Sequence, residues 1–188
     1  TPSPHTTANG HATQHRSVSH PRSLLDRPHP SRHLEPMFTT PIPRTALLLG
    51  FAGLLPFLWG VATMYIAPLQ DLTVAMMGAR FAGPYVMLSY GTIILAFMSG
   101  VLWGFAARDD TMPMGYALSV IPALWAFFFV GNGPSSAAIN LITGFLAVLA
   151  VDFLFWVNGV TPRWWMSLRL QLTTVVVLCL ATVVWGSS

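Results

Sequence analysis

From residue 45 onward the chain is a series of apolar runs separated by short polar breaks. A membrane-spanning helix needs about 20 mostly apolar residues. Five runs meet that requirement, at roughly 45–67, 84–107, 114–131, 136–157 and 166–186. Each break has a chemical cause. Pro68, Gln70 and Asp71 close the first run, and Arg108, Asp109, Asp110 and Pro113 close the second. Gly131, Asn132, Gly133 and Pro134 make a tight polar turn, and Gly159 to Arg163 separate the last two runs. Residues 69–83 are moderately apolar, and read either as a segment along the membrane interface or as an extension of the second helix. The pattern predicts an all-α fold, an integral membrane bundle of five transmembrane helices over residues 37–188.

Residues 1–36 are different. They are rich in Pro, Ser, Thr and His and show almost no apolar periodicity, so they cannot bury enough surface to offset the entropy of ordering. A disordered polar tail is expected there. Met37 stands directly before the membrane-like sequence, which offers one origin for the tail, a stretch upstream of the true start. The other is a cleavable targeting peptide, since the segment has arginine and serine but few acids.

Composition supports the membrane reading. Hydrophobic residues make up 54% of the chain and charged ones 8%, against about 25% charged in soluble domains. All nine basic residues are arginine, and the net charge of +3 is carried mainly by the tail and the loops. No basic stripe or aromatic–basic platform is present, so nucleic acid is not an expected partner. Arginine placement sets an orientation. With the amino terminus inside, the inner segments carry Arg44, Arg108, Arg163 and Arg169 and the outer segments only Arg80. Aromatic belts agree: Trp103, Trp156, Trp164 and Trp165 fall near the inner face, and Tyr65, Tyr85 and Trp185 near the outer.

The chemical inventory is sparse. His5, His11, His15, His20, His29 and His33 all lie in the tail, and Cys179 is the only cysteine. Haem, copper and zinc sites need imidazole or thiolate ligands at suitable spacing, so no metal or cofactor site is expected within the membrane. Ser99 and Ser119 have no histidine to act as base, and no catalytic residues are assigned. Asp152 is the one acid inside an apolar run, with Arg163 or Arg169 in reach as ion-pair partner. Asp109 and Asp110 suit the first turn of the following helix. Pro56 and Pro122 predict kinks, each freeing a backbone carbonyl. Ala96, Gly100 and Gly104 recur every four residues, beside Tyr90 and Trp103, and make a small-residue face. In lipid such a face favours close helix approach, either within the bundle or to another subunit, or lines a groove for a lipid or cofactor tail.

Four pieces of sequence resemble one family. They are LLLGFAGLLPFLWG at 47–60, SYGTIILAFMSGVLWG at 89–104, the segment around Ser119 and Pro122, and the Asp152 region with WWMSLRLQLTTVVVLCL at 164–180. Together they are similar to the bacterial domain of unknown function 3429, whose animal relatives are called transmembrane protein 69. Ala96 stands where that pattern usually has Ser, and Ser99 where it has Gly; both stay small. The resemblance implies a bundle in the bacterial inner membrane, or alternatively the mitochondrial inner membrane, and implies no reaction. The five-helix tryptophan-rich sensory proteins compete less well, because their Trp-Tyr opening with its lysine is missing.

The functional expectation is a non-enzymatic protein surrounded by membrane lipids and packed against other membrane subunits. It would be an accessory subunit or assembly factor of a larger inner-membrane complex, respiratory or photosynthetic. The alternative is a binder or transporter of a lipid, quinone or porphyrin, with a membrane-depth pocket near Pro56, Pro122 and Tyr90. A third reading, a lipid-acting enzyme, would use Asp152 or Asp109 and Asp110.

Overall fold

The computed structural model describes residues 41–108 and 113–186. The tail over 1–36 and the pair Asp109 and Asp110 lie outside the described residues. Those described form α1 (Arg44–Ala52), α2 (Leu55–Tyr65), α3 (Ala67–Met77), a 3-10 turn (Ala79–Phe81), α4 (Gly83–Arg108), α5 (Gly115–Phe129), α6 (Pro134–Val157) and α7 (Trp165–Trp185). The all-helical expectation holds for this region.

The first expected span is a broken helix. Pro56 has no N–H to give and its ring crowds the carbonyl of Ala52, so the ladder cannot run through. The chain turns at Gly53 and Leu54 instead, with the Gly53 N–H on Leu49 O and the Leu54 N–H on Phe51 O, both at 3.0 Å. Pro122 has a milder effect and stays inside α5. There the Ala123 N–H donates to Ser99 Oγ on α4 at 2.9 Å, so a neighbouring hydroxyl takes up a backbone group beside the proline.

Residues 69–83 do not extend the second helix. Ile66 adopts an extended conformation, Pro68 starts α3, and Gly78 ends it at φ +93°. Only glycine takes that conformation without strain. Thr73 is the one buried residue of α3. Trp59 Nε1 donates to Phe81 O at 3.1 Å, and the Gly83 N–H donates to Thr63 Oγ1 at 2.8 Å, which anchors the start of α4 to α2.

Four segments among the described residues are long and apolar enough to cross a membrane: Arg44–Tyr65, Gly83–Arg108, Pro134–Val157 and Trp165–Trp185. The third expected run differs. Its helix, α5, has 15 residues, about 22 Å at the helical rise, against a hydrocarbon core of about 30 Å. Pro113 and the glycine-rich turn at 131–133 limit it at both ends. The expected count of five full spans becomes four plus one short apolar helix.

α4 is the hub and touches α2, α5, α6 and α7. Its buried side runs Met87, Gly91, Leu95, Met98, Leu102 and Ala106, the three-and-four spacing of one helical face. Close approach occurs at other glycines than the ones singled out from sequence. A Cβ on Gly144 would lie 2.5 Å from Leu95 Cδ2 and 3.0 Å from Trp125 Cδ1, and one on Gly60 would overlap Met87. The contacts of Gly60 with Met87, Ser99 with Ala123, Trp125 with Asn140 and Asp152 with Arg169 make successive long elements antiparallel. Arg44, Arg108 and Arg163 therefore share one end of the bundle.

Candidate functional site

α6 ends in a Schellman turn, with the Gly159 N–H on Trp156 O and the Val160 N–H on Phe155 O, both at 3.0 Å. Gly159 supplies the required positive φ of 75°. Val160 and Phe155 are both buried, so the turn is held by apolar contact as well as hydrogen bonds. This reversal lays the first turns of α7 against the last turns of α6.

The consequence is a buried polar cluster. Asp152 is fully buried and Arg169 is 5% exposed. Arg169 Nε donates to Asp152 Oδ2 at 2.7 Å, and Trp165 Nε1 donates to Asp152 Oδ1 at 2.8 Å. Both carboxylate oxygens are thus occupied by charge-assisted or neutral donors. The Trp165 indole is fixed by Phe105, with ring centroids 5.1 Å apart. Of the two arginines in reach from sequence, Arg169 makes the pair, while Arg163 is exposed in the loop before α7 and takes no part.

Arg169 does not exhaust its donors on Asp152. Among the described residues its Nη2 is buried without a hydrogen-bond partner, and so is Thr173 Oγ1 one turn further on. Both residues line a cavity of about 350 Å³ bounded by α1, α2, α4, α6 and α7. Its apolar walls include Leu49 and Leu54, Phe57, Ile94, Met98, Phe145 and Leu172. Tyr90 lies on the α4 side, stacked edge-on against Phe57 at 5.5 Å. Leu49 and Phe97 belong to opposite walls and are 70% and 63% exposed, so the mouth opens sideways between α1 and α4 rather than at the ends of the bundle.

Two glycines leave this space open. A Cβ on Gly50 would stand 3.0 Å from Leu172 Cδ1, and one on Gly53 would stand 3.2 Å from the Gly50 carbonyl oxygen and 3.7 Å from the Tyr90 hydroxyl. Gly53 owes its place on the wall to the break before Pro56. Pro56 itself faces a separate shallow apolar depression with Trp59 and Phe81, and Pro122 is buried in α5 away from both. Of the three residues expected to frame a pocket, the cavity contains Tyr90 alone.

The small-residue face lies elsewhere. Ala96, Gly100 and Gly104 are all exposed on the outer side of α4, and a Cβ on either glycine would meet nothing within 4 Å. Contact within the described bundle is not what this face does. Trp103 beside it is half-exposed and packs edge-on against Tyr116 at 5.0 Å.

Sequence reasoning missed Trp165, Thr173, Gly50 and Gly53. A signal for two of them was present, because Trp165, Arg169 and Thr173 recur every four residues and form a polar stripe on an otherwise apolar helix. Nothing local marked the glycines, whose role depends on what α7 brings opposite them.

Comparison with known proteins agrees with the earlier resemblance. The chain is 31% identical to "Transmembrane protein 69" of Xenopus tropicalis over 152 residues, covering 78% of this chain and 56% of that protein. It is 28% identical to the protein of that name from Mus musculus over 139 residues, covering 71% and 52%. The chain therefore spans about half the length of the curated relatives it matches. No solved structure matches it. The model of the family described as "Protein of unknown function (DUF3429)" matches residues 42–185, which takes in the ion pair, the cavity and the outer face of α4, and the chain belongs to that family.

Proposed function

We propose that this integral membrane protein is non-enzymatic and binds a chain-bearing amphiphile from the surrounding lipid. One observation carries the reading: a laterally open apolar cavity is lined by Arg169 and Thr173, whose buried Nη2 and Oγ1 find no hydrogen-bond partner among the described residues. Leaving such groups unpaired away from water costs about 1–3 kcal/mol each. Ligand sites commonly combine apolar walls with a few convergent polar groups, and an ionisable residue at membrane depth favours a functional reading. A porphyrin suits the cavity poorly, because it is a broad plate and the described walls carry no histidine or thiolate for its metal. The reading is tested by gentle detergent purification followed by native mass spectrometry. A stoichiometric adduct on the native chain that Gly53→Leu abolishes supports it, and identical adducts on both chains count against it.

A second reading has its own observation. A small-residue face that packs on nothing among the described residues suits the approach of a helix from another subunit. On that reading the protein is an accessory subunit or assembly factor of a larger inner-membrane complex, meeting it along Ala96, Gly100 and Gly104. Gly100→Leu should release a co-purifying partner while leaving the bundle folded. If native-sized complexes survive that change, the face is lipid-exposed and no more. For either reading we place the protein in a bacterial inner membrane, with the mitochondrial inner membrane as the alternative, and the arginine-bearing end and amino terminus inside.

A further inference from the structure

The cavity's polar residues constrain the chemistry of its occupant, on the premise of the binding reading above. Arg169 brings one positive charge and Asp152 one negative charge, and the two are in contact at 2.7 Å. Trp165 completes the second carboxylate oxygen. The cluster is therefore charge-balanced before any ligand arrives. A full anion at that depth would be an uncompensated charge in a low-dielectric site, a penalty the already paired guanidinium does little to offset. What remains unmet is hydrogen bonding: Nη2 has donors only, and the Thr173 hydroxyl can donate. Both call for a neutral acceptor.

Shape limits the rest of the molecule. Trp165, Leu168, Arg169, Leu172, Thr173 and Val176 line one face of α7, and the eleven helical steps from Trp165 to Val176 cover about 17 Å. A volume of about 350 Å³ set along that length makes the cavity a narrow slot that suits a hydrocarbon chain better than a broad, plate-like molecule. Arg169 and Thr173 lie midway along this face, with Trp165 and Leu168 on the arginine-bearing side and Val176 beyond. The mouth between Leu49 and Phe97 lets a chain enter from the side.

We infer that the cavity holds a chain-bearing amphiphile with an uncharged carbonyl head, which lies against the polar side chains of the wall, Arg169 and Thr173. An alkylated quinone and a monoacyl ester share that chemistry. Asp152 and Trp165 are positioning residues here; they fix the guanidinium of Arg169 in the cavity wall.

The test is native mass spectrometry of the full chain released from dodecyl maltoside, a detergent whose head has hydroxyls but no carbonyl. Three probes are titrated at sub-micellar concentration: a decylbenzoquinone, a monoacylglycerol and a hexadecyl sulfonate that is anionic at every pH. One or both carbonyl probes should bind one per chain, the sulfonate at least tenfold more weakly, and the stronger carbonyl probe identifies the natural head. Thr173→Val, which keeps the shape of the side chain, should weaken that probe about fivefold. Gly53→Leu, which fills the space before Tyr90, should abolish its binding with the melting temperature retained. Sulfonate binding as tight as the carbonyl probes overturns the neutral-head inference while leaving the binding reading intact. Carbonyl binding indifferent to both substitutions removes the site from this cavity. If none of the three probes binds, both the inference and the reading beneath it fail.

Discussion

Asp152 and Arg169 show how a costly residue is made tolerable in lipid. An isolated carboxylate inside a membrane helix costs about 2.5–3.5 kcal/mol on insertion scales, and here contact with Arg169 and Trp165 satisfies both oxygens. Breaking the pair leaves an uncompensated buried charge. Arg169→Leu should therefore destabilise the bundle by about 3–5 kcal/mol, read as a lower midpoint of unfolding in mixed detergent micelles. Arg163→Leu should change stability by no more than about 0.5 kcal/mol, because that side chain is exposed. Equal effects of the two would show that the pair is not the anchor described. Asp152 and its two reachable arginines were readable from sequence, since a lone acid in an apolar run requires a partner. The choice between them was not, because it depends on the Schellman turn at Gly159 and the register it gives α7.

Elements divide between those that obey local chemistry and those decided by neighbours. Helix breaks at Pro56, Pro68, Gly78 and Gly159 follow from the residues themselves. Which glycines serve close packing does not. A four-residue repeat pointed to Gly100 and Gly104, whereas the bundle closes over Gly60 and Gly144. All are glycines on apolar helices, and only the opposing surface separates them. Gly144→Val should destabilise by about 1–3 kcal/mol through overpacking against Leu95 and Trp125. Gly100→Ala should be neutral or stabilising by up to about 1 kcal/mol, the ordinary helix preference. Thermal unfolding of the two variants in one detergent checks the pair, and the reverse order would mean that the outer face of α4 is buried in the purified protein. α5 illustrates a different limit. Its apolar run passed the length test by hydropathy, but proline before it and glycine after it trim the helix to 15 residues.

At the scale of the whole molecule, the short helix α5 is carried among four longer spans, the first of them broken. Successive antiparallel packing puts the turn at 131–133 and the turn at 158–163 at opposite ends of the bundle. If α5 crosses as well, single cysteines replacing Arg80 and Asn132 should label from one side of the membrane. A cysteine replacing Asn158 should label from the other. Labelling of Asn132→Cys and Asn158→Cys from the same side would contradict that topology. The cavity belongs to this scale too. It is made by five elements, including a helix break that sets Gly53 facing Tyr90, and no single segment of sequence contains it.

Lateral access by a lipid-like molecule is the claim on which the functional reading rests, and photolabelling addresses it in the native membrane. A diazirine-bearing alkyl ketone should crosslink to peptides containing Leu49, Phe97 and Leu172, with labelling lost in Gly53→Leu. Labels spread over the lipid-facing side chains Phe127 and Phe128 of α5, which are 78% and 68% exposed, and unchanged by that substitution, would show a probe dissolved around the protein rather than held within it.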